Sequence, residues 1–170
     1  MNRIITIFIL FIAMNASAQK INKQIEDKTR NKTVLINNCT REGLITFPEF
    51  KERYDTEYPN YNTDSLTIDS LKPLTANKKI TIVLGTWCGD SKFQVPHFFK
   101  VIDELAVSEK DVTIISVDGT KKAENGLLDK LKIERVPTMT FYEKDKELGR
   151  IIESPMMSLE KDILQILSKK

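Results

Sequence analysis

From about residue 78 to the C-terminus, the hydrophobic pattern switches repeatedly between strand-like and helix-like segments. Residues 79–84 and 111–118 are rich in Ile, Val and Thr, which predicts two buried strands. Between them, apolar residues recur three and four positions apart, which predicts a helix over residues 90–106 that Pro96 should kink. Two strands joined through a helix should lie parallel, with a right-handed crossover.

The C-terminal third continues this alternation. A short helix is predicted over residues 124–131, followed by a strand over 138–142, a polar turn and a returning strand over 147–153. Ser158 can cap a last helix that runs to Leu167. The order of elements predicts an α/β fold with a central mixed β-sheet flanked by helices.

Residues 19–77 carry a weaker pattern, and we treat them as an N-terminal extension to a domain over residues 78–170. Residues 19–32 are polar and charged, which is typical of a mobile leader or a marginal helix. The apolar run at 33–36 predicts a short strand.

Helix signals dominate the rest of the extension. Thr46, followed by Pro48, has the pattern of a helix start, and that helix should end before Pro59. Residues 64–74 predict a second helix, broken by Pro73. The extension is therefore predicted to be mainly helical.

Residues 1–18 have the layout of a secretory signal peptide. Arg3 supplies a positive charge, residues 4–14 are almost entirely apolar, and Ala16 and Ala18 form a small-residue cleavage site. The apolar run is shorter than the roughly 20 residues that a membrane-spanning helix needs. We therefore expect cleavage after Ala18, export, most readily to a periplasm, and no membrane span in the mature chain.

Charge and composition exclude several classes of function. The formal net charge is +2, and Lys residues are interleaved with Asp and Glu along the chain. A nucleic-acid-binding protein would carry a concentrated basic patch, so we expect no nucleic-acid partner. Cys39, Cys88 and the single histidine, His97, cannot supply a Cys/His zinc tetrad, so no metal site is expected.

Cys88 lies between a predicted buried strand and the start of a predicted helix. The unpaired N–H groups of a first helical turn and the positive end of the helix dipole favour an anion at that place. A thiolate is such an anion, and it is the attacking species in disulfide exchange. The alternative is that Cys88 is a small buried hydrophobic residue without reactivity.

The chain resembles the thioredoxin family. Residues 87–91 (W-C-G-D-S) are similar to the W-C-G-P-C motif of that family, and residues 136–138 (V-P-T) are similar to its cis-proline loop. Pro96 falls where the family's own helix is kinked. The similarity covers about residues 78–170 and implies a thioredoxin-like fold.

The resemblance also implies roles for individual residues. Cys88 matches the attacking, solvent-accessible thiol, and Trp87 matches the aromatic residue that packs beside it. Pro137 would face Cys88 and leave the backbone of Val136 free to pair with an extended substrate. Ser91 replaces the family's resolving cysteine, and its hydroxyl could donate a hydrogen bond to a Cys88 thiolate.

Two further departures and Cys39 bear on the mechanism. Asp90 replaces the motif proline, and Ile82 stands where many thioredoxins carry a buried acid. Cys39, in the extension, has three possible roles: it resolves a mixed disulfide on Cys88, forms a permanent bridge to Cys88, or takes no part. These differences weaken the expectation of general dithiol reductase activity.

Taken with these departures, the resemblance implies thiol–disulfide exchange through the single thiol of Cys88. Its partners would be disulfides and thiols, either of proteins or of small molecules, and no cofactor would be required. The competing interpretation is a peptide-binding or chaperone-like module that keeps the fold without redox chemistry.

Overall fold

The computed structural model describes residues 20–169, so the predicted signal peptide lies outside the described residues. Six strands and five helices of at least five residues are described. The strands are β1 (Lys23–Asp27), β2 (Lys32–Cys39), β3 (Lys78–Leu84), β4 (Val112–Ser116), β5 (Thr138–Glu143) and β6 (Lys146–Ile152). The helices are α1 (Arg41–Ile45), α2 (Pro48–Asn60), α3 (Ser65–Leu71), α4 (Gly89–Glu104) and α5 (Leu159–Leu167).

All six strands form one mixed sheet in the order β1-β2-β4-β3-β5-β6. The strands β3 and β4 are parallel, with Ile82 opposite Ile114, and α4 connects them. Every other neighbouring pair is antiparallel. The predicted α/β fold, with a mixed sheet flanked by helices, is confirmed.

The polar segment at residues 19–32 is not a mobile leader or a marginal helix over its described part. It contains β1 and the turn into β2, and the two strands pair as a hairpin in which Ile25 lies opposite Val34. Asp27 holds the turn, because its carboxylate accepts hydrogen bonds from the N–H groups of Thr29 and Arg30. Strand β1 is therefore stabilised by its pairing with β2 and by this turn. The hydrophobic pattern of β1 alone does not reveal either contact.

The three helices that follow confirm that the N-terminal region is mainly helical, but two boundaries differ from the prediction. Thr46 closes α1 instead of capping α2, since its hydroxyl donates to the Glu42 carbonyl. Helix α2 continues through Pro59 to Asn60, although Pro59 has no N–H to donate to the carbonyl four residues before it. Helix α3 gives way to a short 3-10 turn at 72–74, around Pro73.

The predicted helix over residues 124–131 is instead a series of turns. Asn125 and Gly126 both have positive φ, which interrupts a right-handed helix. Leucines of this segment still pack onto the sheet, as partners of a small cluster formed by Val83, Ile115, Val117 and Val136. The segment therefore covers its face of the sheet without helical structure.

The main core lies on the opposite face of the sheet. There large aromatic side chains are buried between the helices and the sheet. They include Phe50, Phe98 and Phe99 of the helices and Phe141 of β5. The strand β2 pairs with β4, so residues on both sides of position 78 share one sheet. The domain boundary drawn at that position stays a prediction.

Candidate functional site

Cys88 lies where the chain passes from β3 into α4. Its backbone N–H donates to the Gly85 carbonyl at 2.9 Å, which closes the turn, and its own carbonyl accepts from Lys92 N–H. Cys88 is the N-cap residue of the 16-residue helix α4, yet its side chain makes no capping hydrogen bond. The half-buried sulfur is therefore left close to the unpaired N–H groups and the positive dipole of this helix end.

The loop that precedes β5 faces this sulfur. The Cys88 thiol donates to the Val136 carbonyl, with 3.3 Å between sulfur and oxygen. The Val136–Pro137 peptide bond is cis, and the Pro137 carbonyl accepts from Glu153 N–H at 2.7 Å. The Val136 carbonyl thus faces Cys88, whereas the Pro137 carbonyl is bound to Glu153.

Trp87 forms the side wall of the site. Its indole N–H donates to the Val117 carbonyl at 3.0 Å. A Cβ placed on Gly85 would lie 2.6 Å from the indole ring, so the ring rests directly on the glycine backbone. The guanidinium of Arg30 covers the ring, 3.9 Å from its centroid.

Ser91 is fully buried beneath the turn. Its hydroxyl oxygen accepts a hydrogen bond from Gly85 N–H at 3.2 Å. The bond that the structure shows for Ser91 therefore braces the turn that presents Cys88. A hydrogen bond from Ser91 to a Cys88 thiolate stays a prediction.

The N-terminal hairpin supports the site from one side. The buried carboxylate of Asp27 accepts hydrogen bonds from Gly119 N–H and from Thr29, and the Thr29 hydroxyl bond is the main cause of its lowered pKa. Leu35 N–H on β2 donates to the Thr86 hydroxyl, in the turn before Trp87. Asp27 and Arg30 are not among the predicted site residues, because the polar pattern of residues 19–32 predicts a mobile leader or a marginal helix.

The structure does not bring Cys39 and Cys88 together. Cys39 is buried at the end of β2, opposite Ile114 of β4, and desolvation raises the pKa of its thiol to about 12. The strand β4 lies between β2 and β3, so Cys39 is two strand spacings, about 10 Å, from Ile82 of β3. Cys88 lies beyond the end of β3, and a disulfide needs Cα atoms within about 7 Å. Both thiols are free, so no disulfide joins Cys39 to Cys88 in this structure. A resolving role for Cys39 stays a prediction.

The remaining ionisable residues of the core lie away from Cys88. His97, in the middle of α4, contacts Glu57 of α2 at 3.1 Å and stacks on Tyr61. Among residues 20–169, no cluster of three His, Cys, Asp or Glu side chains is arranged to hold a metal ion. Each helix in this part of the chain is too short or too polar to cross a membrane.

Two solved structures are similar to this chain, and the first of them supports the fold. A crystal structure of a protein of unknown function from Pseudomonas aeruginosa superposes with a TM-score of 0.52 at 14% identity, covering 76% of this chain and 89% of that one. An HIV epitope scaffold gives a TM-score of 0.48 at 15% identity, over 71% of this chain and 81% of that one.

Comparison of the sequence gives the family. No curated protein matches the chain significantly. The family model described as Thioredoxin matches residues 67–165, which include Cys88, Pro137 and every strand from β3 to β6. This match spans more than half of the sequence, and the chain belongs to the thioredoxin family.

Proposed function

We propose that this protein carries out thiol–disulfide exchange through Cys88 as its single nucleophile. The observation that carries the proposal is the position of the Cys88 sulfur, which is half-buried at the start of α4 and 3.3 Å from the Val136 carbonyl. The N-terminus of a helix is a place where an attacking anion is stabilised by the helix dipole. The neighbouring loop offers a backbone acceptor to a bound substrate.

The exchange takes place in two steps. The Cys88 thiol loses its proton to solvent, and the thiolate attacks one sulfur of a disulfide R–S–S–R. The Cys88–S–S–R bond forms, the R–S–S–R bond breaks, and RS⁻ leaves. Without its proton, Cys88 no longer donates to the Val136 carbonyl, which is then free to accept an N–H of a peptide substrate.

The second thiol of the cycle comes from outside the chain. Ser91 holds a hydroxyl where the family's second cysteine would stand, and Cys39 is buried on another strand. A small-molecule thiol R′SH therefore attacks the mixed disulfide. It forms R′–S–S–R and returns Cys88 to the free thiol, so atoms and electrons balance over the cycle.

A second candidate function is a redox-inactive peptide-binding module. It is favoured by one observation, the bond from the Cys88 S–H to the Val136 carbonyl, because only the protonated thiol can donate it. In that case the groove beside Pro137 would hold an extended peptide, and Cys88 would not react.

Trapping of a mixed disulfide distinguishes thiol–disulfide exchange from the redox-inactive peptide-binding module. The purified protein is incubated with bis(2-hydroxyethyl) disulfide and analysed by intact-mass and peptide mass spectrometry, before and after addition of a small thiol. We expect one adduct, on Cys88, that the thiol removes. Cys39→Ser should keep the adduct and Cys88→Ser should lose it. A folded protein that gains no adduct at Cys88 would support the binding module.

We also propose that the protein is exported and acts in the periplasm, on the basis of the signal-like segment at residues 1–18. Expression of the full chain in a Gram-negative host, followed by fractionation and N-terminal sequencing, tests this. We expect the periplasmic form to begin at Gln19. Full-length protein confined to the cytoplasm would contradict the proposal.

A further inference from the structure

An exposed arginine lies on the tryptophan beside Cys88. Arg30 leaves the turn between β1 and β2 and places its guanidinium 3.9 Å from the centroid of the Trp87 ring. Its Nη2 donates to the Gly119 carbonyl at 3.3 Å. A guanidinium has five N–H donors, so most of those of Arg30 remain open to solvent.

Arg30 differs from the other arginines in residues 20–169. Each of the others forms an ion pair with a carboxylate: Arg41 with Asp103, Arg53 with Glu57, Arg135 with Glu153, and Arg150 with Glu147. Arg30 has no carboxylate partner within this part of the chain. Its guanidinium is thus not held by a carboxylate of a neighbouring side chain.

Two acidic side chains near Arg30, Asp27 in the same turn and Asp118 beside Gly119, accept hydrogen bonds from backbone N–H groups. Asp27 contacts the backbone N–H of Arg30, and its carboxylate is turned into the hairpin and the Gly119 loop. Asp118 accepts from the backbone N–H groups of Thr120 and Lys122 in its own turn. A planar guanidinium that is stacked and anchored in this way is well suited to a carboxylate.

We propose that Arg30 is a specificity-determining residue that selects disulfides carrying a carboxylate close to the sulfur. The inference rests on the proposed exchange at Cys88 and names its substrate class, a low-molecular-weight anionic disulfide. The carboxylate binds the open face of the guanidinium, while the disulfide reaches past the edge of Trp87 to Cys88. The bond changes are those of the first exchange step, and the leaving group is a carboxylate-bearing thiolate.

Three aliphatic disulfides of similar length test the charge preference. They are 3,3′-dithiodipropionate (anionic), bis(2-hydroxyethyl) disulfide (neutral) and cystamine (cationic). The rate of adduct formation at Cys88 is measured by mass spectrometry in a Cys39→Ser background. Arg30→Gln should slow the anionic probe about fivefold, which corresponds to about 1 kcal/mol, and leave the neutral probe within about twofold. The cationic probe should react faster.

Matched variants separate charge from packing. Arg30→Lys keeps the charge and should retain most of the anionic rate at low salt. Lys28→Gln removes one positive charge from the same turn without touching Trp87, and it should change the probe ratios much less. High salt should reduce the preference of the unmodified protein for the anionic probe.

Two outcomes overturn the inference in different ways. If Arg30→Gln slows all three probes equally, Arg30 acts only by holding Trp87, and the proposed exchange survives. If the unmodified protein forms no adduct with any probe, the exchange itself is wrong and the specificity falls with it. Thermal unfolding of each variant shows whether a lost rate reflects a lost fold.

Discussion

Replacement of Gly85 by alanine should damage the site through a single methyl group. The added Cβ would lie 2.6 Å from Cε2 and 2.7 Å from Nε1 of Trp87. Carbon atoms in good packing are about 3.5–4.0 Å apart, so the indole must move by about 1 Å. The ring cannot move freely, because Val117 binds its N–H and Arg30 covers its face.

The cost follows from these contacts. Overpacking of this kind costs about 1–3 kcal/mol. Loss of the indole hydrogen bond adds about 1 kcal/mol if the ring swings out. We expect Gly85→Ala to lower the free energy of unfolding by about 2–4 kcal/mol. Trp87 is the single tryptophan, so its fluorescence should also shift to the red.

Urea unfolding followed by circular dichroism and by Trp87 fluorescence measures both effects. Gly89→Ala is the matched control, since a Cβ there meets no atom within 4 Å. It lies at the start of α4 and should be neutral or slightly stabilising. The reasoning is refuted if Gly85→Ala unfolds at the urea concentration of the unmodified protein with an unshifted emission spectrum.

Three further predictions concern titratable groups. Cys39, with its pKa raised to about 12, should stay unalkylated by iodoacetamide at pH 8 while Cys88 is labelled, and equal labelling of both in the folded protein would contradict its burial. Desolvation lowers the pKa of His97, so the unfolded chain binds a proton at a higher pH than the folded protein, and the free energy of unfolding should fall as the pH drops below about 6.5. In His97→Gln, the free energy of unfolding in urea should change less between pH 7.5 and 5.5, and an unchanged pH dependence would count against this. The lowered pKa of Asp27 stabilises the fold above about pH 4, and this contribution is lost as the pH falls through the pKa of the folded state. Asp27→Asn should lower the free energy of unfolding by about 1–2 kcal/mol at pH 7 and by less at pH 3. A difference that is the same at both pH values would show that the ionised carboxylate is not the cause of the lost stability.

The C-terminal strands and α4 were predictable because each has a strong local pattern. A β-branched run such as 79–84 and the helical spacing over 90–106 are legible without any knowledge of neighbours. Ser158 likewise caps α5 as expected, accepting from Lys161 N–H. The pairing of Cys88 with the Val136 loop came from the family resemblance, because the two are joined only through the folded sheet.

The parts that the sequence did not reveal depend on contacts between distant residues. Strand β1 has one apolar residue, Ile25, and exists because β2 offers it a partner. Arg30 reaches Trp87 only once that hairpin has formed. The isolation of Cys39 depends on β2 joining the sheet beside β4, which no local pattern encodes.

Turnover measures the central claim most directly. The rate at which the protein promotes reduction of bis(2-hydroxyethyl) disulfide by a small thiol should be the same for the unmodified protein and for Cys39→Ser, and it should fall to the uncatalysed rate for Cys88→Ser. Loss of turnover in a folded Cys39→Ser protein would contradict a mechanism with Cys88 as the only nucleophile, as would activity that persists in Cys88→Ser.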